Sequence, residues 1–447
     1  MKQGFASWRS LLLLCVLLVC LAGCGTPAPE PSQAVGPELT PEPTPVVYTY
    51  DGLAVDEATE SLALRTDSDL EELAALAEQL PSLSRISFGS REPTPEELAL
   101  LRAAFPDAEL HYSIRLGGQR LAWDTAELDL SALTRSEVEE TVKALPLLEK
   151  LRYVDLGSAD EEDETALTLE DVHLFQQACP EVDFAYSFSL YNVEISTLDE
   201  ELNFKRIKMR DEGEAVRAIL PCMPRCRTLD MDSCGVSNEA MAAIRDDFPD
   251  IKVIWRVYFG SKYAARTDAT RILASDGENF IWDYNSEALK YCTDVVYLDL
   301  GHNQMEDISF VSYMPNLEVA ILAINYWSDA SPLANCPNLE YLEIFSTRVT
   351  DLSPLAGLTN LKHLNIAYNW ELEDISPLYG LTNLERLWIG CVNEVPQEQI
   401  EEIRRRLPDC EINSTAFSPT SEGWRDHERY ELLREQFEYD HAPFNYK

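Results

Sequence analysis

Residues 339–369 read LEYLEIFSTRVTDLSPLAGLTNLKHLNIAYN, and a pattern Leu-x-x-Leu-x-Ile-x-x-Thr/Asn occurs twice within them, 22 residues apart. Followed in both directions, the pattern opens at Val295, Leu317, Leu339, Leu361 and Leu384, in steps of 22, 22, 22 and 23. Its second and third apolar positions are Leu298/Leu300, Ala320/Leu322, Leu342/Ile344, Leu364/Ile366 and Leu387/Ile389. The closing position is Asn303, Asn325, Thr347, Asn369 and Val392. The first four units continue into an Asp-apolar-Ser turn (Asp307, Asp329, Asp351, Asp374), with Pro-Leu after it in the last three of these. A fixed period carrying several matched positions is the signature of a solenoid. Each coil cannot bury its own apolar face and must stack on its neighbours.

Within one coil, a strand of about three residues turns alternate side chains inward. The Asn amide then satisfies backbone groups at the bend, and the Ser-Pro-Leu segment returns along the other side. This unit resembles the 22-residue leucine-rich repeats of bacterial internalin-type surface proteins. The resemblance implies an α/β fold: a right-handed leucine-rich-repeat solenoid with short parallel strands on its concave side and helices or turns on its convex side. Thr347 and Val392 depart from the motif, as does the extra residue between Asn369 and Asp374.

Upstream the units are longer. Blocks of about 62–126, 127–200 and 201–270 each open with a short strand, at Leu62, Leu128 and Leu202. A second strand follows at Ile86, Val154 and Leu229, then a helix ending in Phe105-Pro106, Cys179-Pro180 or Phe248-Pro249. A cleanly alternating strand closes each block: Leu110/Tyr112/Ile114/Leu116, Phe184/Tyr186/Phe188/Leu190 and Val253/Trp255/Val257/Phe259. Ser68-x-x-Glu71, Thr94-x-x-Glu97 and Ser136-x-x-Glu139 read as capping boxes. These strand-plus-helix units resemble the ribonuclease-inhibitor-like class of leucine-rich repeats. The sequence divides into a signal over 1–23, a tether over 24–46, long repeats over 47–290, short repeats over 291–412 and a C-terminal cap over 413–447. The convex side is expected to switch from helices to tighter turns near Tyr291.

The first 23 residues have the form of an export signal: Lys2 and Arg9, an apolar run Leu11–Leu21, then small residues. Leu21-Ala22-Gly23-Cys24 resembles the lipobox of bacterial lipoproteins, which implies a thioether-linked diacylglycerol on Cys24 and anchoring at the extracytoplasmic face of the cell membrane. Seven prolines between 27 and 45 make an extended tether. The chain carries 78 acidic against 36 basic residues, for a net charge of −42. That balance excludes nucleic acid, whose binding needs cations facing phosphate. It also leaves the lipid anchor as the only membrane contact.

No Gly-rich phosphate loop, HExxH or nucleophile elbow is present. Asp160–Glu164 is acidic but lacks the alternating ligands and central glycine of a calcium loop. Cys179, Cys226, Cys234, Cys292, Cys336 and Cys410 sit where the repeats take small apolar fillers. Cys222 and Cys226 have no second pair at zinc spacing. No cofactor, metal or catalytic residue is assigned, and a monomer is expected. The outward-facing strand positions are the candidate ligand contacts: Tyr297, Asp299 and His302; Tyr341, Glu343 and Phe345; His363, Asn365 and Tyr368; Arg386 and Trp388. Large rigid rings among a few polar groups suit recognition of a protein or glycan at the cell surface. The competing account is that these side chains cover one another or lie beneath the C-terminal segment. Two other functions remain open: an envelope-polymer hydrolase using paired carboxylates, and a structural lipoprotein with no specific ligand.

Overall fold

The computed structural model describes residues 46–160, 162–275, 280–391, 394–421 and 423–438. The signal, Cys24 and the tether up to Pro45 lie outside the described residues, as does the repeat position Val392. The short repeats form one seven-stranded parallel sheet. Its strands run in chain order: Arg271–Leu273, Tyr297–Asp299, Val319–Ile321, Tyr341–Glu343, His363–Asn365, Arg386–Trp388 and Glu411–Asn413. The register places Leu298, Ala320, Leu342, Leu364 and Leu387 directly beside one another. All five are 0% exposed. A single apolar core continues from Tyr50 to Leu407 through both classes of repeat.

The closing Asn residues satisfy buried backbone from one coil to the next. The Asn325 amide donates to the carbonyls of Leu300 (2.9 Å) and Leu322 (3.1 Å), and its oxygen accepts from the Met305 N–H (3.2 Å). Asn303 donates to Ala274 (2.8 Å) and Leu300 (3.0 Å). Asn369 donates to Ile344 (3.1 Å) and Ile366 (3.0 Å). Thr347, lacking an amide, donates its hydroxyl to the Asn369 oxygen (2.9 Å) and so keeps the ladder joined. The residue just before each ladder position is left-handed: His302, Ile324, Ser346, Tyr368 and, in the last unit, Cys391.

On the convex side, each Asp of the Asp-apolar-Ser turns accepts from the Ser N–H two residues on, as Asp329 does from Ser331 (2.8 Å). A 3-10 turn follows: Ser309–Tyr313, Ser331–Asn335, Ser353–Gly357 and Ser376–Gly380. Helices Glu214–Ile219 and Asn238–Asp247 precede the 3-10 turn Glu287–Tyr291. A full helix returns once, at Gln397–Arg406.

The long blocks each contain three parallel strands, followed by an element the sequence reading did not separate. Ser113–Leu116 pairs antiparallel with Gln119–Ala122, the end of Asp183–Leu190 with Val193–Ser196, and Arg256–Phe259 with Tyr263–Arg266. Gly117-Gly118 and Tyr191-Asn192 form two-residue loops with both φ angles positive, the geometry that matches hairpin twist. Two caps also differ. Thr94 makes its capping box with Glu97, but Asp69 rather than Ser68 caps the first helix, and Thr134 with Glu137 replaces Ser136 with Glu139. Ser68 instead donates to Asp51 and accepts from the Arg65 N–H. The eight described cysteines are all unbridged. Burial pushes the thiols of Cys292, Cys336 and Cys410 up to about 12.

Two substitutions test the ladder by chemical denaturation. Asn325→Ala orphans several buried backbone groups and is expected to cost about 3 kcal/mol. Ile324→Asn removes a β-branched side chain from a left-handed backbone while keeping the Ile324 N–H bond to Phe345 O (2.9 Å). It is expected to add about 1 kcal/mol.

Candidate functional site

The outward positions of the short-repeat strands do not face water. After Asn413 the chain turns back, and residues 414–421 and 423–438 lie across the concave face, with the helix Glu428–Phe437 against the strand Arg271–Leu273. The expected C-terminal helix is present, with Leu433 and Phe437 buried and Leu432 turned outward. Its place is over the face, as a strap. Tyr439 lies outside the described residues.

Trp424 is the strap's anchor. Its ring lies 5.1 Å from Trp388 and 5.6 Å from Tyr341, centroid to centroid. Its indole N–H donates to the Glu343 carboxylate (2.7 Å), which also accepts from the Tyr341 hydroxyl. Arg386 lies with its guanidinium 4.8 Å from the Trp388 ring and 4.7 Å from the Trp424 ring. It donates to the carbonyls of Gly423 (2.7 Å) and Trp424 (3.3 Å) and meets Glu411 at 3.3 Å. Fully desolvated aromatic and guanidinium contacts of this kind carry most of the energy in an interface. Leu273, Val319, Ile321, Tyr341, Trp388, Ala416, Trp424, Leu433 and Phe437 form a second apolar core, on the opposite side of the sheet from the first.

The remaining candidates take part in the same closure. The Asn365 amide donates to Pro419 O (2.7 Å), and the Tyr368 hydroxyl donates to Phe417 O. Gln436 donates to the Tyr297 hydroxyl (3.1 Å), and Phe437 meets the Tyr297 ring edge-on. His363 is buried between Tyr341 and His427. Phe345 packs with Ala323, Ala367 and Tyr368. Asp299 is buried, accepting from the Gly301 N–H (2.9 Å). Of the eleven predicted contacts, His302 alone is exposed. The structure therefore gathers these residues at one site, and the strap already occupies it. A cavity of about 160 Å³ persists between strap and sheet, lined by Asp299, His302, Glu343, Phe345, Arg425 and Tyr430. It is smaller than a typical ligand pocket. Both carboxylates line it, but Glu343 is already engaged by Tyr341 and Trp424.

Burial governs the titration of this site. Desolvation, reinforced by the Arg386 charge, holds His363 down to about 3. Desolvation raises Glu343 above the usual carboxylate range.

This geometry defines a leucine-rich-repeat solenoid whose concave face is filled by its own C-terminal segment. Residues 337–371 and 359–404 match the family model described as Leucine Rich repeats (2 copies). Among solved structures the chain is similar to an internalin from Listeria monocytogenes, at 16% identity over 82% of this chain and 84% of that one, with a TM-score of 0.27. Internalin C2 from the same organism is 19% identical over 57% and 80%, with a TM-score of 0.25. A leucine-rich-repeat protein from Leptospira interrogans is 14% identical over 80% and 93%, with a TM-score of 0.29. No curated protein matches the sequence.

Two outcomes check the strap. Trp424→Ala empties the slot between Tyr341 and Trp388 at a local cost of about 3–5 kcal/mol. It is expected to speed amide exchange throughout 414–438 while the sheet stays protected. The second concerns pH. The unfolded chain protonates His363 near 6.5 and the folded chain only near 3, so stability falls as pH drops through that window. Glu343, with its raised value, contributes with the opposite sign, since protonation favours its folded form. In urea titrations, His363→Gln is expected to shrink the loss of stability between pH 7 and 4 by roughly 2 kcal/mol.

Proposed function

We propose that this chain is a non-catalytic recognition protein, held at the extracytoplasmic face of the membrane by lipid on Cys24, that takes a protein or glycan ligand on its concave face. The observation that carries this reading is the occupied slot itself. Tyr341, Glu343, Arg386 and Trp388 hold an irregular polypeptide segment by its indole, its N–H and two of its carbonyls. A face that accommodates one such segment in cis is chemically equipped to accommodate another, with the strap as its competitor. Linkage makes any ligand affinity lower by the free energy of strap closure. A proline-rich tether of the kind read from the sequence would separate the body from the bilayer, and the acidic body is repelled from anionic headgroups.

The test is capture from extracts and a glycan panel by the wild-type chain and by Trp424→Ala. Capture is expected to rise in the variant and to vanish when Tyr341→Ala and Trp388→Ala are added. Equal capture by all three forms overturns the concave site. Release of the chain from membranes on Cys24→Ser checks the anchor independently.

A further inference from the structure

Among the described residues the strap reaches as far as the first strand of the seven-stranded sheet, and the cavities beyond that strand are lined by more cations than acids. Where the long repeats meet the short ones, the hairpin Arg256–Phe259/Tyr263–Arg266 borders a cavity of about 570 Å³. Three cationic side chains line it, Arg206, Arg256 and Lys262, and among the described residues one carboxylate, that of Asp232. An adjoining cavity of about 400 Å³ shares Arg256 and adds Arg266 and Arg271 against Asp268. This concentration of positive charge stands on a chain whose net charge is −42.

The cations are held in place. Asp232, 1% exposed, grips Arg256 through both Nε (2.8 Å) and Nη2 (2.9 Å). Arg266 is fixed in the same two-point way by Asp268 (2.9 Å at each contact) and reaches Asp230 at 2.9 Å. Arg271 is taken by the strap, through Gln436 O (2.7 Å) and Glu438 (3.1 Å). Arg206 is exposed on a left-handed backbone of φ 66°, a conformation costly for a residue of its type. Tyr258 stands at the rim, 65% exposed. Guanidinium groups fixed in this fashion suit a tetrahedral oxyanion, because their donors need no reordering on binding. An exposed tyrosine ring beside them suits the apolar face of a sugar.

We propose that this cavity is a receptor for a phosphate or sulfate ester borne on a sugar, with Arg206, Arg256 and Lys262 on the oxyanion and Tyr258 against the ring. The surrounding negative field repels free polyanions at a distance, so selection operates only once the ester has entered the cavity.

The experiment is calorimetric titration of the full chain with glucose 6-phosphate and glucose 6-sulfate, with glucose and inorganic phosphate as reference probes. The esters are expected to bind at about 1 mM. Glucose is expected to give no signal, and inorganic phosphate to bind more weakly than the phosphate ester. The two ester arms decide which group is preferred. The double variant Arg206→Asn, Lys262→Ala is expected to weaken ester binding at least about tenfold. Its unfolding midpoint is measured alongside as the folding control, and asparagine tolerates the left-handed backbone at position 206. Tyr258→Ala should weaken the esters and leave inorganic phosphate unaffected. Trp424→Ala should change none of these values, which separates this site from the strapped face. Failure of both esters to bind at ~10 mM, or equal binding by the double variant, overturns the proposal.

Discussion

The side-chain amide of Asn325 reaches carbonyls in its own coil and in the preceding one, at positions where water cannot. The parallel strands of the short repeats are not joined by hairpin loops, so each bend would strand polar backbone against the core unless a side chain met it. Asn303, Asn325 and Asn369 supply that partner in their coils, and Thr347 stays joined to the ladder through its hydroxyl bond to Asn369. With the bends satisfied, the leucines fall into register by default. The left-handed residue before each ladder position is the local conformational cost of the same bend.

The second core has a different origin. Short parallel strands have two faces, and only one is covered by the convex returns. A polar outer face would have left the other open. Instead Val319, Ile321, Tyr341 and Trp388 lie there, and the chain covers them with its own C-terminal segment. Enclosing Glu343, His363 and Arg386 in that layer desolvates three ionisable groups, each with its own remedy. Glu343 takes two donors, Arg386 takes two carbonyls and two rings, and His363 gives up its proton. Polar groups enclosed in this way disfavour any register of the strap that leaves them unmet.

Features set by local period were legible in the sequence. The strands at Leu298, Leu342 and Leu364, the Asn ladder and the Asp-x-Ser turns all recur from one coil to the next. Capping was less legible wherever two eligible residues lay close together, as with Ser68 and Asp69 or Thr134 and Ser136, because the choice depends on the backbone direction entering the helix. The hairpin at Gly117-Gly118 carried a turn signal, whereas Tyr191-Asn192 carried little. The strap depends on contacts such as Trp424 to Glu343, 81 residues apart, which no period encodes. The one available hint was chemical: positions that should have been polar held tyrosine, tryptophan and isoleucine.

The doubling back of the strap also decides which part of the body position 438 meets. At Glu438 the chain lies beside Arg271, on the strand next to the long repeats, rather than beside Asn413 at the last strand of the sheet. A fluorophore attached at position 438 would thus sit at the junction of the long and short repeats. Distances measured from such a label would report on that junction and say little about the far tip.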